Sequence, residues 1–350
     1  MPRNRHARLT TLAVGVAVAL ALSRTEGSAA RAAQLRPAWH DPSPHEARRI
    51  TVDGSVRLEV LDWGGSGPPV VLLGCYLSAH AYDDFAPKLT DRLRVIGITR
   101  RGIGASDTPE DGYSVQRSVN DLLEALDALR LARVVLLGTS CAGQVQTLFA
   151  GQHPDRLLGL VYLDGASDPT TTADEYEPPM PDLARLPRRA VPMGDLDTTS
   201  FAAYRAEQRR TRGFAFPEAE LRQMYAVNPD GSMGETRLSP TIRRAITIDA
   251  RMTPDYAGIR TPVLALYQAQ PAFDDVARGY AIRTDDERAA LRQLYDATNA
   301  LYALWQRQLR SAVPTARIVD LVGANVFMFL TNEADVLREV RDFAASLDRR

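Results

Sequence analysis

The stretch "VVLLGTSCAGQVQTLF", residues 134–149, decides how this chain is read. Val134 to Leu137 form a short continuous apolar run, as a strand covered on both faces requires. Gly138-Thr139-Ser140-Cys141-Ala142-Gly143 then makes a turn of mostly small residues, and "AGQVQTLFAGQHP" reads as a helix. Ser140 therefore sits where a buried strand gives way to a helix N-terminus, whose free N–H groups and dipole favour negative charge beside them. A plain junction with a helix-capping serine would look the same. The surrounding pattern has to decide.

Upstream, "ITVDGSVRLEVLDWGG" alternates Val56, Leu58 and Val60 about an Asp-Gly turn, the mark of a hairpin. "PPVVLLG" is another buried strand, a helical pattern covers 80–92, and "RVIGIT" is a further strand. "SVQRSVNDLLEALDALRL" places apolar residues at 119, 122, 123, 126 and 129, a helical spacing. After the opening stretch come the strand "LLGLVYLD", the strand "TPVLALY", a long amphipathic helix over 285–312, the strand "ARIVDLV" and the helix "ADVLREVRDFAASL". Strands and helices alternating through short links predict an α/β protein with a mainly parallel central sheet flanked by helices. Residues 169–258 break that rhythm. They are rich in Pro, Met and Arg, hold helical stretches near 199–211 and 217–226, and offer no evident strand, so they read as an inserted helical cap.

The sequence of 350 residues has 45% apolar and 24% charged residues and a net charge of -1, ordinary values for a globular chain. Nothing in that balance recommends nucleic acid or an anionic membrane as a partner. Lys88 is the single lysine among 42 basic residues. Residues 1–32 begin with Arg3, Arg5 and Arg8, continue through "TTLAVGVAVALAL" and end in small residues, the order of a secretory signal. The apolar run is shorter than the roughly 20 residues a membrane anchor needs. The expectation is an exported protein, secreted or periplasmic, with no stable membrane anchor, a linker over 33–48 and one domain over 49–350. Two cysteines, Cys75 and Cys141, are too few for a disulfide scaffold, and no metal-ligand spacing appears among them and the five histidines. Neither a metal nor another cofactor is indicated, and nothing sets the oligomeric state.

The turn at 138–142 resembles the nucleophile elbow of the α/β-hydrolase superfamily, G-x-S-x-G, with Ala142 at the second glycine. "RRGIGASDTP", "GLVYLDGAS" and "GANVFMFLTNEADVLREVRDF" resemble that superfamily's stretches in the same order, over about 49–168 and 260–350. The resemblance implies Ser140 as nucleophile and the N–H groups of Cys141 and of Cys75 or Tyr76 as an oxyanion hole. It implies Asp164, at the less common strand end, as the acid, because "QAQPAF" holds no carboxylate before Asp274. An aspartate bonding loop N–H groups is the plainer reading of Asp164. Both cysteines fall where that fold brings two loops together, and either a bridge over the oxyanion hole or two buried thiols satisfies the sequence.

The base is missing. Valine stands at 326, where the family places histidine, and no histidine follows His153. His80 belongs to a helix start near the mouth of the site, His153 ends the elbow helix pointing away, and Lys88 lies on a polar helix side. None is a good substitute. The reading is then a hydrolase frame kept as a binder of a small apolar molecule, or an inactive homologue, with Thr139, Val326 and Phe327 lining the pocket. The alternative is an atypical enzyme (a cyclase, lyase, isomerase or weak ester hydrolase) on a small apolar substrate, using Ser140 and Asp164.

Overall fold

The computed structural model describes residues 39–190 and 196–347. The expected leader and the first part of the linker lie outside them. The strands are β1 (Glu46–Val52), β2 (Val56–Gly64), β3 (Pro69–Leu73), β4 (Arg94–Ile98), β5 (Val134–Thr139), β6 (Leu157–Leu163), β7 (Tyr225–Val227), β8 (Met233–Thr236), β9 (Val263–Ala269) and β10 (Arg317–Val322). Eight of them form one sheet in the order β1-β2-β4-β3-β5-β6-β9-β10. The β1–β2 and β2–β4 pairs are antiparallel and every other pair in it is parallel. The hairpin turn uses Asp53 and Gly54, both at positive φ, as an Asp-Gly turn allows.

Each central strand is buried on both faces because its apolar residues run without interruption. Val135, Leu137, Val161, Leu163, Leu264 and Leu266 face Tyr82, Phe85, Phe329 and the closing helix Glu333–Leu347. Val134, Leu136, Leu160, Tyr162 and Val263 face the other way, onto the helices Val115–Ala128 and Ala142–Gln152. The long helix Asp285–Ala312 starts at a capping box in which Thr284 and Glu287 satisfy each other's backbone N–H groups. Lys88 Nζ meets Glu333 Oε1 at 2.6 Å, tying the first crossover to the closing helix. Among the described residues no helix is long and apolar enough to cross a membrane.

Three expectations need correction. The pattern at 80–92 is not one α-helix but two 3₁₀ turns, Ala79–Tyr82 and Ala86–Leu89, because Pro87 cannot donate to a continuing helix. The segment 169–258, expected to be helical, also holds strands: β7 and β8 pair as a small antiparallel ribbon around the polar turn "NPDGS". The cap helices Phe201–Arg212 and Glu218–Met224 lie where the sequence places them. Residues 46–48, expected in the linker, already belong to β1.

Candidate active site and ligand cavity

The elbow is built by close backbone approach. Ser140 has φ 54, the left-handed region that most residues avoid. It is held there by its own N–H to the Leu163 carbonyl at 3.2 Å and by the Gly143 N–H to the Ser140 carbonyl at 2.9 Å. A Cβ on Gly143 would lie 1.9 Å from the Gly165 carbonyl oxygen, so the elbow helix can press on the loop after β6 only through a glycine there. Ala142, at the position the motif reserves for glycine, is buried and fits.

Six of the expected site residues line one cavity of about 690 Å³: Cys75, Tyr76, Thr139, Ser140, Val326 and Phe327. Thr139 Oγ1 donates to the Val326 carbonyl at 2.8 Å, which pins the loop after β10 beside the elbow. That loop turns at Gly323, φ 75, and Asn325 Oδ1 accepts from the Phe327 N–H at 2.7 Å. The inserted segment packs against that loop through Phe214 and Phe216, whose ring centroids lie 5.9 and 5.0 Å from that of Phe327. Arg212, Arg237 and Arg243 line the cap side of the cavity.

Cys75 and Cys141 are joined as a disulfide with Cα atoms 5.1 Å apart, which resolves the choice that the sequence leaves open. The bridge ties the loop after β3 to the residue following Ser140. The N–H groups of Cys75, Tyr76 and Cys141 have no acceptor among the described residues.

Asp164 is not among the residues lining that cavity. Like Ser140 it sits at a strand end with positive φ, here 53. Its Oδ2 accepts from Gln268 Nε2 at 2.8 Å and from the Tyr302 hydroxyl at 3.2 Å. Burial pushes its carboxyl above the usual carboxylate range, against the pull of those hydrogen bonds. Asp274 is an exposed partner of Arg288.

Glu220 is the residue that sequence reading misses. It lies on the cap helix Glu218–Met224, is 1% exposed, and lines the Ser140 cavity. It accepts from the Ser78 N–H at 3.2 Å and from the Ser78 hydroxyl. Burial pushes its carboxyl up to about 7, the bonds from Ser78 opposing the rise. No local signal marks it, since a glutamate on a cap helix is ordinarily solvated.

The histidines lie elsewhere. His153 caps the end of the elbow helix with its ring 5.1 Å from that of Phe149. His80 begins a 3₁₀ turn but is buried rather than at the surface, with Nδ1 2.8 Å from Asp83 Oδ2. Burial opposes its imidazolium, yet Asp41, Asp83 and Glu59 outweigh that and push it up to about 12. The sequence indicates no metal site, but folding brings possible ligands together. Asp41, His45, His80 and Asp83 converge although they come from two segments whose spacing does not announce it. None of these histidines lines the Ser140 cavity.

Residues 68–229 match the family profile described as alpha/beta hydrolase fold. The chain is 37% identical over 124 residues to a putative carbamate hydrolase, RutD, of Caulobacter segnis, covering 34% of this chain and 46% of that one. It is 28% identical over 119 residues to a 2-(acetamidomethylene)succinate hydrolase of Mesorhizobium japonicum, covering 34% and 42%. The matched stretch thus spans less than half the length of these curated relatives. Among solved structures, an E-2-(acetamidomethylene)succinate hydrolase aligns with a TM-score of 0.58 at 19% identity, over 85% of this chain and 98% of that one. A bromoperoxidase from Bacillus anthracis aligns with a TM-score of 0.52 at 19% identity, over 87% and 100%.

Proposed function

Because the chain belongs to the α/β-hydrolase superfamily, we propose that it is a member that keeps the elbow serine, lacks the catalytic base, and binds a small molecule rather than hydrolysing one. One observation carries this reading. Val326, held to the elbow through Thr139, shares the Ser140 cavity, and no histidine lines that cavity. Valine has no lone pair and cannot accept the serine proton. Removing an essential triad member typically costs ~10⁶ in turnover. From a median kcat of ~10 s⁻¹ this leaves roughly one turnover per day. The cavity of about 690 Å³ falls in the range that small ligands occupy. Phe216, Met224, Val326 and Phe327 supply apolar wall, and Arg212, Arg237 and Arg243 favour a ligand with an acidic end. The disulfide is in keeping with the export expected from the residue pattern of 1–32.

The test is hydrolysis of a short p-nitrophenyl ester by wild type, Ser140→Ala, Val326→His and the double variant. Wild type is expected to match Ser140→Ala, and Val326→His to gain at least about tenfold in turnover that the added Ser140→Ala removes. A wild type whose turnover near ~10 s⁻¹ disappears in Ser140→Ala would overturn the reading.

Glu220 favours one second reading, a non-hydrolytic enzyme. A carboxyl near neutrality inside the cavity can give and take a proton at pH 7, which an ordinary carboxylate does poorly. Isomerisation or elimination lost in Glu220→Gln and kept in Ser140→Ala would support it. Unchanged ligand binding by Glu220→Gln, with no product from either protein, would exclude it.

A further inference from the structure

Apart from the Ser140 cavity, the densest unexplained chemistry lies where the segment Trp39–His45 packs against the first crossover. Asp41, His45, His80 and Asp83 each present one ligand atom there, all within 4.8 Å of one another. His80 Nδ1 lies 2.8 Å from Asp83 Oδ2 and 3.1 Å from Asp41 Oδ2. His45 Nδ1 is 3.1 Å from Asp83 Oδ1, and its Nε2 is 3.9 Å from Asp41 Oδ2. Ligand atoms about 2.0–2.1 Å from a tetrahedral zinc ion stand about 3.3 Å from one another. The contacts above use both ring nitrogens of His45 and both oxygens of Asp83, so a tetrahedral ion taking one atom from each residue requires side-chain rotations among atoms that already lie within 4.8 Å of one another.

The polar accounting points the same way. Asp41 Oδ2, His45 Nδ1 and Asp83 Oδ1 are buried and make no hydrogen bond of good geometry. The side chains of His45 and Asp83 are only 7% and 3% exposed. Buried polar atoms are destabilising unless well paired, and these three, from two chain segments, have only ion-pair neighbours inside the cluster: His80 Nδ1 for Asp41 Oδ2, and each other for His45 Nδ1 and Asp83 Oδ1. A cation bound among them would satisfy all three.

The surroundings are those of a metal ligand set. His80 turns its other ring nitrogen, Nε2, toward Glu59 Oε1 at 3.5 Å, and Glu59 Oε2 is held by Thr99 Oγ1 at 2.8 Å. That is the carboxylate–histidine–metal order by which outer groups orient a ligating imidazole. Trp63 packs edge-on against His45 with ring centroids 5.7 Å apart and walls off one side. A cavity of about 330 Å³, lined in part by Trp39, Asp41, Ser43 and Asp83, gives a path in from solvent.

We propose that Asp41, His45, His80 and Asp83 form a divalent-metal site of the zinc class, separate from the Ser140 cavity, that staples the residue 39–45 arm to the loop bearing Ser78. Two imidazoles and two carboxylates suit zinc, whereas calcium and magnesium ask for six or more oxygens. The arm is already positioned for such a staple. Ser43 Oγ donates to the Asp83 carbonyl at 3.2 Å and accepts from Trp63 Nε1 at 3.0 Å. Ser78, five residues before Asp83, is the partner of Glu220 in the cavity, so the ion would also steady that wall.

The test uses the full mature chain, stripped with chelator and titrated calorimetrically with Zn²⁺, with Ca²⁺ and Mg²⁺ as controls, and Co²⁺ added separately as a spectroscopic probe. Expected are one Zn²⁺ per chain, the intense visible bands of four-coordinate Co²⁺, and a thermal midpoint several degrees higher with Zn²⁺ than with Ca²⁺. Loss of an outer partner typically weakens metal binding about 10–100-fold. Glu59→Gln should fall in that range, and His45→Gln and Asp83→Asn, which remove ligands, beyond it. Circular dichroism checks that each variant folds. Zn²⁺ binding by wild type equal to that of His45→Gln would overturn the proposal, as would no uptake at all. The cluster would then be held by protons and water alone.

Discussion

Replacing Cys75 and Cys141 together by alanine is expected to destabilise the fold by about 4 kcal/mol. The figure follows from topology. The bridge spans a sequence separation of 66 residues, and the chain-entropy relation gives a value between those for loops of about 15 and about 100 residues. The Cα separation of 5.1 Å lies inside the normal range for disulfides, so the bridge sits on the native backbone without displacing it. Cys75 is 3% exposed and the substitution removes little more than two sulfurs, so lost packing adds a minor amount. Urea unfolding of oxidised wild type and of the double variant measures the difference. At a slope of about 3 kcal/mol per molar, the variant midpoint should fall by about 1.3 M, with a slope at least as steep because the unlinked unfolded chain exposes more surface. Adding reductant to wild type should reproduce the shift and do nothing to the variant. A variant that unfolds within about 0.3 M of wild type would refute the loop-closure reasoning, as would two titratable thiols in native, air-oxidised protein.

Asp121→Asn should cost about 3 kcal/mol in chemical denaturation, because Arg101, 2% exposed, is held by both Asp121 oxygens at 2.7 Å and would lose its main counter-charge. Glu220 gives a pH signature. Its folded-state value, about 7, lies above its ordinary 4.5, so the native state binds the extra proton between them. Stability from this group is therefore full below about 4.5 and falls as pH rises through about 7. The wild-type minus Glu220→Gln difference should show that slope, about 3 kcal/mol at most, and a flat difference would exclude it. Gly143→Ala should destabilise by about 1–3 kcal/mol or more, since the new methyl meets backbone oxygen rather than a movable side chain. A thermal midpoint equal to wild type would show that the elbow helix can shift.

The parallel sheet was legible because each strand, such as Val134–Leu137 or Leu160–Leu163, is an apolar run bounded by short polar links, and burial on both faces permits little else. The elbow was legible for the same reason, although the sequence draws attention to Ala142 while the tight contact belongs to Gly143. The ribbon β7–β8 escaped notice because three- and four-residue strands carry too few residues for a period to show. The 80–92 pattern misled because apolar spacing alone does not distinguish an α-helix from successive 3₁₀ turns. Glu220 and the Asp41–His80 cluster depend on contacts between distant segments, which no local pattern encodes.

The pair between Lys88 and Glu333 has a practical consequence. Lys88 is the only lysine in the chain, and its side chain is 48% exposed. An amine-directed dye or surface linker can therefore attach to a side chain at just one position, and that side chain does not line the Ser140 cavity. With the more acidic α-amino group blocked first at lower pH, such a handle gives one labelled side chain without any engineered cysteine, and so leaves the native bridge undisturbed.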